Sequence, residues 1–516
     1  MLIAAFVLFL ITLIRTAWIS PRAYINFRVL ENWIHGYGLG FNVGERVLPV
    51  SQPIWLLLLG SVYWFALSIL QLPDLNLLYY LSIASSILIS LFTFAWLLKM
   101  VSNNSSKALI VITGLLISKA FIDYSTSGLE NPLTHLLILL FLIQYARLAE
   151  SHHRWDIPHL TLISLIGSLL VALQWEYFPL IGIIFFTTGI RLRGGARRWA
   201  SWGILLLPLG LYLLFSAFCY GFPLPNMYVA RFHAGLGWGR LARQGLMYLL
   251  NLIDFDPGSV IILVLGLLAV LFGRAHTFYP FVLGIFSSIA LIVLTGGDSI
   301  SGRLFSPLVF LSVLLLCQVD IELSKLGQVA LLMIVVIGLT AERSPLRGDL
   351  NYAYPEPDHR GVFDDRGVAY QSTGLLRLNR ATIYPSGSEW AGGDWHFQEY
   401  RDVVVLDEYR FGMVAYQLGP ESYVLATTGI SDPLLARLPT VDRVVWDLFS
   451  LSREIPENYE VAVLEDPQEW SCGGLADYYG DLRMIVSHPL FSKGRMASIW
   501  SVASENLSRS MIQNCQ

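Results

Sequence analysis

From its first residue to about position 341 the chain is a series of long apolar runs separated by short polar loops, and this pattern constrains its fold more than any single motif. The runs lie near 2–19, 53–71, 76–98, 107–122, 131–147, 158–174, 175–190, 201–219, 245–273, 278–295, 303–319 and 326–341. About 20 apolar residues cross the hydrocarbon core of a bilayer as one helix, which satisfies its own backbone polar groups. Charged residues are only 14% of the chain and mean hydropathy is +0.57, whereas soluble domains carry about 25% charge. The fold class that follows is an α-helical polytopic membrane protein. A net charge of −4 gives no electrostatic footprint for nucleic acid. Residues 1–18 are apolar apart from Arg15, and no small-residue cleavage box follows, so this segment reads as a retained first span.

Basic residues orient the spans, because short cytoplasmic loops are rich in Lys and Arg. The loop containing Arg191, Arg193, Arg197 and Arg198 is expected inside. Counting forward puts "GFPLPNMYVARF" outside, Arg274 inside, "GGDSISGR" outside and Lys325 inside. Counting backward puts "YSTSGLENP" outside. Twelve crossings would place both ends on one side, so one run is expected not to cross. The short run 53–71 is the best choice, which leaves about eleven spans. Residues 342–516 have ordinary globular composition and are expected to form an exported soluble domain of α/β or α+β type. There "VVVLDEY" and "SYVLATT" read as strands and "DPLLARL" as a short helix. Cys472 and Cys515 lie in this part and could pair; Cys219 and Cys317 lie in apolar segments and read as packing residues.

On this topology four polar clusters share the outer face: the first loop (about 20–52), "YSTSGLENP", "GFPLPNMYVARF" and "GGDSISGR". Charged residues at the membrane boundary are costly and tend to mark sites. Convergence of Arg28, Glu130, Glu176, Arg231, Asp298 and Arg303 would make a mixed-charge pocket suited to a lipid-borne anionic substrate. Arginine meets phosphate oxygens in pairs, while carboxylates, amides and aromatic faces such as Trp18, Tyr24 and Trp55 suit a sugar.

In order along the chain, "AYINFRVLENWIHGYGLGFNVGERV…SQPIW", "STSGLENPL", "PLPNMYVARF", "GGDSISGR", "LGPESYVLATTGISDPLLARLP", "REIPENYE" and "YYGDLRMI" resemble the GT-C superfamily of polyprenyl-phosphate-dependent glycosyltransferases. The branch is that of the mycobacterial terminal arabinofuranosyltransferases and their Gram-negative, pilin-glycosylating relatives. The resemblance implies transfer of a pentose from a polyprenyl-phosphate donor to a glycan, lipid or pilin-like protein acceptor. The reaction would run at the periplasmic face of the bacterial inner membrane. On this reading Glu130, Asp298 and Glu176 are expected to bind sugar hydroxyls or act in proton transfer. By residue chemistry, Arg22, Arg28, Arg303, Asn42 and Arg231 are set toward the donor, and Asn226 and Ser127 toward the acceptor. No cofactor is required, although outer carboxylates could recruit a divalent cation.

One departure stands out. Where the family carries an acidic pair after the first span, this chain reads Ser20-Pro21-Arg22-Ala23-Tyr24. Neither proline nor arginine can accept a proton there. Three explanations stand: another carboxylate takes over, the chain is a non-catalytic lipid-glycan binding or assembly protein, or the sequence is altered at this position.

Overall fold

The computed structural model describes residues 1–73, 76–150, 157–191, 195–273, 275–319, 331–332, 335–336, 338–341, 343–346, 358–377, 397–400, 403–406, 411–441, 451–464, 470, 472–504 and 507. Arg193, Arg274, Lys325, Cys515 and much of the run 326–341 lie outside the described residues. By packing, the chain divides into two compact units. One comprises Met1–Ser20, Gln52–Leu209 and Trp238–Ser386; the other comprises Pro21–Ser51, Gly210–Gly237 and Gly387–Gln516.

The first unit is helical, and its helices follow the apolar runs. Long stretches of Leu, Ile, Val and Phe satisfy backbone groups locally and pack by their side chains. Pro257–Phe272 packs on Ser306–Gln318, Tyr279–Leu294 on Phe178–Arg191, and Leu77–Met100 on Asn131–Glu150. Phe9, Leu139, Leu173, Ile285, Phe305 and Phe310 are among its fully buried core residues. Other apolar side chains point outward: Leu88 is 67%, Phe186 61% and Phe272 80% exposed. Leaving such surface in water costs about 25 cal/mol per Å², so these faces suit lipid.

Among the described residues four helices are long and apolar enough to cross a membrane: Leu77–Met100, Asn131–Ala149, Gly203–Tyr220 and His276–Leu294. A fifth span results if the bent pair Trp238–Phe255 and Pro257–Phe272 is counted as one. The helical membrane class stands; the count of eleven spans is not established by these helices, and among the described residues six further apolar helices have 10–17 residues. Two expected runs are broken by polar residues. The run 107–122 stops at Ser118, whose hydroxyl accepts from the Phe121 amide at 3.0 Å and begins a new helix, Lys119–Tyr124. The run 245–273 bends by 104° at Asp256. Asp256 caps the second helix through the Ser259 amide at 3.1 Å, and Pro257 starts it. The two breaks meet, because Asp256 also accepts from the Ala120 amide at 2.7 Å and Ser118 lies 2.6 Å from Ser259 Oγ.

The second unit holds a three-stranded sheet of β1 (Phe397–Tyr400), β2 (Val403–Leu406) and β3 (Tyr423–Ala426). β1 and β2 are antiparallel, while β2 and β3 are parallel. β2 and β3 are the two strands expected from the alternating apolar sequence. "DPLLARL" forms only a 3-10 turn, Leu435–Arg437, because Asp432 draws the Leu434 and Leu435 amides onto one carboxylate oxygen at 2.8 and 2.7 Å. Leu425, Leu434, Tyr459, Leu475 and Leu482 share this unit's core. Cys472 is disulfide-bonded, whereas Cys219 and Cys317 are free thiols.

Two acids joined through Tyr423 lie here. Tyr423 Oη donates to Glu45 Oε2 at 2.9 Å and sits 3.5 Å from Asp432 Oδ2; Tyr459 Oη donates to Asp432 at 2.9 Å. Burial, reinforced by the Asp432 charge, pushes Glu45 up to about 8, and burial pushes Asp432 up to about 6. Unfolded carboxyls titrate near 4. The folded state therefore holds protons that the unfolded chain has lost, and stability falls as pH rises from about 4 to about 8. The thermal midpoint in detergent is expected to drop between about pH 5 and 8, with a smaller drop in Glu45→Gln. A wild-type midpoint that is flat or rising over that range contradicts this.

Candidate functional site

The site in the helical unit is built around the loop 123–131. Trp18 Nε1 donates to the Asp123 carbonyl and Trp55 Nε1 to the Gly128 carbonyl, both at 2.9 Å. The Ser20 amide donates to the Ser127 carbonyl, also at 2.9 Å. Gly128 has a φ of +77°, which lets the chain turn where a side chain would be strained. Both tryptophans are fully buried, so they shape the loop and offer no sugar platform.

The loop delivers Glu130 to Arg303. Glu130 Oε1 accepts from Arg303 Nη1 at 3.0 Å and from Gln174 Nε2 at 2.7 Å. Arg303 Nε donates to Asp298 Oδ2 at 2.6 Å, and Asp298 Oδ1 takes the Ser299 amide at 2.8 Å. Asn131 Nδ2 holds the Arg303 carbonyl at 3.1 Å. Glu176, in the 3-10 turn Trp175–Tyr177, adds a third carboxylate whose charge acts on Arg303. All of these groups are buried. Burial opposes the Arg303 charge, but Asp298 and Glu130 outweigh it and hold the guanidinium well above its usual value.

Two consequences follow for the chemistry. First, Arg303 directs two of its nitrogens at carboxylates, and the cluster of three acids on one base is net negative. Its arginine fixes carboxylates in place and is poorly disposed to clamp phosphate. Second, Glu130 Oε2, Asn131 Oδ1 and Gln174 Oε1 are buried acceptors without a hydrogen-bond donor among the described residues. Each such atom costs about 1–3 kcal/mol. Acceptors grouped around a fixed carboxylate suit the hydroxyls of a sugar.

The chain is similar to a terminal beta-(1->2)-arabinofuranosyltransferase of Mycobacterium tuberculosis. Identity is 28% over 246 residues, covering 45% of this chain and 37% of the relative. The chain thus spans little more than a third of that protein's length. No family model matches the chain, and no solved structure does. The likeness supports a glycosyltransferase in coarse terms.

A second charged cluster in the same unit was not anticipated from the sequence. Residues 358–366 dock on the Asp298–Arg303 loop through an isolated parallel bridge between Ile300 and Phe363. The Phe363 amide donates to the Ser299 carbonyl at 2.7 Å, and the Ser301 amide to the Phe363 carbonyl at 2.9 Å. Asp364 then meets Lys119 at 2.9 Å and Arg343 at 3.1 Å. Asp123 pairs with Lys119 and lies 2.5 Å from Arg366. Asp365 Oδ2 accepts from Ser20 Oγ at 2.7 Å. The available signal was "FDDRG", two adjacent acids and an arginine beyond the last apolar run. Its position there made it read as the start of the soluble domain.

Of the six residues expected to converge, Glu130, Glu176, Asp298 and Arg303 come together. Arg28 and Arg231 belong to the other unit. Arg28 has a different task from donor binding. Its guanidinium donates to the carbonyls of Phe41 (2.8 Å), Gly419 (2.9 Å), Ser422 (2.7 Å) and Ala415, and to Asn42 Oδ1 at 3.5 Å. All five N–H groups are engaged, so Arg28 ties its own unit together and has none left for a phosphate. Asn42 pairs with both backbone groups of Val424 at 3.0 and 3.1 Å, extending the edge of β3. Asn226 Nδ2 contacts the carbonyls of Gly429, Ile430 and Asp432, each at 2.9 Å, and so fixes that turn. Arg22 is buried at the start of the helix Ala23–Ile34, and Arg231 lies in the last turn of Asn226–Phe232. Ser127 is buried in the Glu130 loop. Among the described residues no three acids, histidines or cysteines form a metal-holding group.

Proposed function

We propose that the chain is a membrane glycosyltransferase of the GT-C type. It moves a pentose from a polyprenyl-phosphate donor to a glycan, lipid or protein acceptor at the periplasmic face of a bacterial inner membrane. Arabinofuranose is the sugar suggested by the relative's name. This reading keeps about eleven crossings, some of them made by the shorter apolar helices. The observation that carries it is the buried Glu130–Arg303–Asp298 triplet with its unmatched acceptors. A sugar ring supplies hydroxyl donors to such atoms, and the fixed negative charge favours the positive character that develops at an anomeric carbon as its phosphate departs. That leaving group is already a weak base and needs no acid to help it go. Single alanine variants at Glu130, Glu176 and Asp298 test the assignment by transfer of labelled sugar. Glu130→Ala and Asp298→Ala are expected to lose about 100-fold or more in rate. Full activity in all three variants contradicts the proposal.

Pro21-Arg22 in place of an acidic pair favours a second reading, in which the chain binds lipid-linked glycan without transferring it. In that case the wild type binds donor but releases no product.

A further inference from the structure

We propose that the helix Arg495–Ser504 lies in the surface of the bilayer, with its apolar face set into the boundary between headgroups and acyl chains. The inference is independent of the glycosyltransferase reading. It begins with three large apolar side chains of the second unit, in a part of the chain with ordinary globular composition: Phe491 is 88%, Met496 68% and Trp500 76% exposed. Met496 and Trp500 are four residues apart and so share one helix face, flanked by the exposed Ala497 and Ala503. The opposite face is buried through Arg495, Ser498 and Val502 and packs on the helix Gly474–Val486. There Ser498 Oγ donates to Asp481 Oδ1 at 2.7 Å, and Arg495 Nε to the Ile485 carbonyl at 3.0 Å. Arg495 is the helix's one charged residue, so the exposed face carries no charge. A contiguous uncharged apolar face held outward in this way marks a site of interaction.

The neighbouring element identifies the occupant. Of the four candidate spans, Gly203–Tyr220 is the least covered by protein: only 17% of it is buried. Leu211, Leu214, Phe215 and Phe218, in its second half, are exposed. Its 18 residues rise about 27 Å, close to the thickness of a hydrocarbon core, about 30 Å. With one end preceded in sequence by Arg191, Arg193, Arg197 and Arg198, the other end, at Tyr220, falls at the edge of that core. This is where the helix Arg495–Ser504 attaches. Arg495 Nη2 donates to the Cys219 carbonyl at 3.2 Å, and Arg46 Nε donates to the same carbonyl at 3.1 Å. Two cations thus close the negative end of the span. The rings of Phe218 and Phe491 lie 5.6 Å apart. Phe491, Met496 and Trp500 therefore extend the lipid-facing surface of the span at headgroup depth.

A bilayer suits this face better than a glycan does. Among Phe491, Met496, Ala497 and Trp500 the indole N–H is the one polar side-chain group that can donate a hydrogen bond, and a sugar's hydroxyls would find little to pair with. At the bilayer surface the same set is favourable. An apolar helix face sinks about 5–10 Å into the boundary, and tryptophan gathers there because its ring is apolar while its N–H reaches water or headgroups. The second unit is then held to the leaflet at the Tyr220 end by these side chains as well as by its covalent link to the span.

The test uses the full-length protein in nanodiscs, with Cys219→Ala and Cys317→Ala removing the free thiols. A nitroxide is attached at one position at a time through Met496→Cys, Trp500→Cys or, as a control in the same unit, Glu457→Cys. All three side chains are exposed, so the label enters without repacking a core. Phe491→Cys gives an independent reading from outside the helix. Collisions with oxygen, which concentrates in lipid, are compared with collisions with a water-soluble nickel chelate. Labels at 491, 496 and 500 are expected to show an oxygen-to-nickel ratio severalfold higher than the label at 457. A ratio at 496 and 500 equal to that at 457 overturns the inference. So does shielding of both positions from both agents, as packing against another protein would give, or shielding that appears only when soluble glycan is added.

Discussion

Replacing Arg303 with methionine is expected to be among the most damaging single changes in the helical unit. The substitution keeps length and apolar volume but leaves Glu130 and Asp298 buried without their shared cation. Removing one member of a buried ion pair costs about 3–5 kcal/mol, most of it from stranding the remaining charge. The variant should therefore show a large fall in thermal midpoint as well as loss of transfer. A double-mutant cycle isolates the cause. With Glu130→Gln already in place, Arg303→Met strands one charge fewer and should cost less than it does in wild type. Equal costs in the two backgrounds contradict the view that these residues act as one unit.

The second large effect is expected at a helix crossing. A Cβ on Gly245 would lie 2.0 Å from the Val293 carbonyl oxygen and 2.5 Å from its Cα. These are backbone atoms and cannot rotate away. Trp238–Phe255 and Tyr279–Leu294 pack on each other here, and the second helix runs directly into the loop of Asp298 and Arg303. Gly245→Val must push the helices apart, and overpacking of this kind costs about 1–3 kcal/mol or more. Because the displaced helix positions Asp298, transfer should fall further than stability alone explains. Gly239, on the same helix with open space around it, serves as the control, since Gly239→Ala meets nothing within 4 Å. Wild-type activity in Gly245→Val contradicts this account of the crossing.

The helical class was legible because burial in lipid leaves a one-dimensional trace: long apolar runs appear directly in sequence. The positions where those runs break were not. Ser118 and Asp256 look like isolated polar residues tolerated within a span, and only their contact across two helix breaks shows why the helices stop there. Glu130, Asp298 and Arg303 were legible as charges flanking apolar runs, where each must find a partner or a use. Their pairing to one another, which turns Arg303 from a phosphate clamp into an anchor for acids, depends on distances that no spacing encodes. Arg28 shows the same limit. Its five donors are consumed by carbonyls supplied mainly by residues 415–422, nearly 400 positions away. Asp364 and Asp365 were missed because sequence order put them past the last apolar run, whereas hydrogen bonds through Phe363 return them to the loop of Asp298.

The central claim is that the buried acids of the helical unit carry sugar transfer although the first loop lacks its acidic pair. The most direct measurement is transfer of labelled pentose from a polyprenyl-phosphate donor by purified protein in nanodiscs, comparing wild type with Glu130→Ala, Asp298→Ala and Arg22→Asp. The account expects product from wild type, little from either acidic-site variant, and no need for an acid at position 22. No product from wild type, with activity appearing in Arg22→Asp, would contradict it.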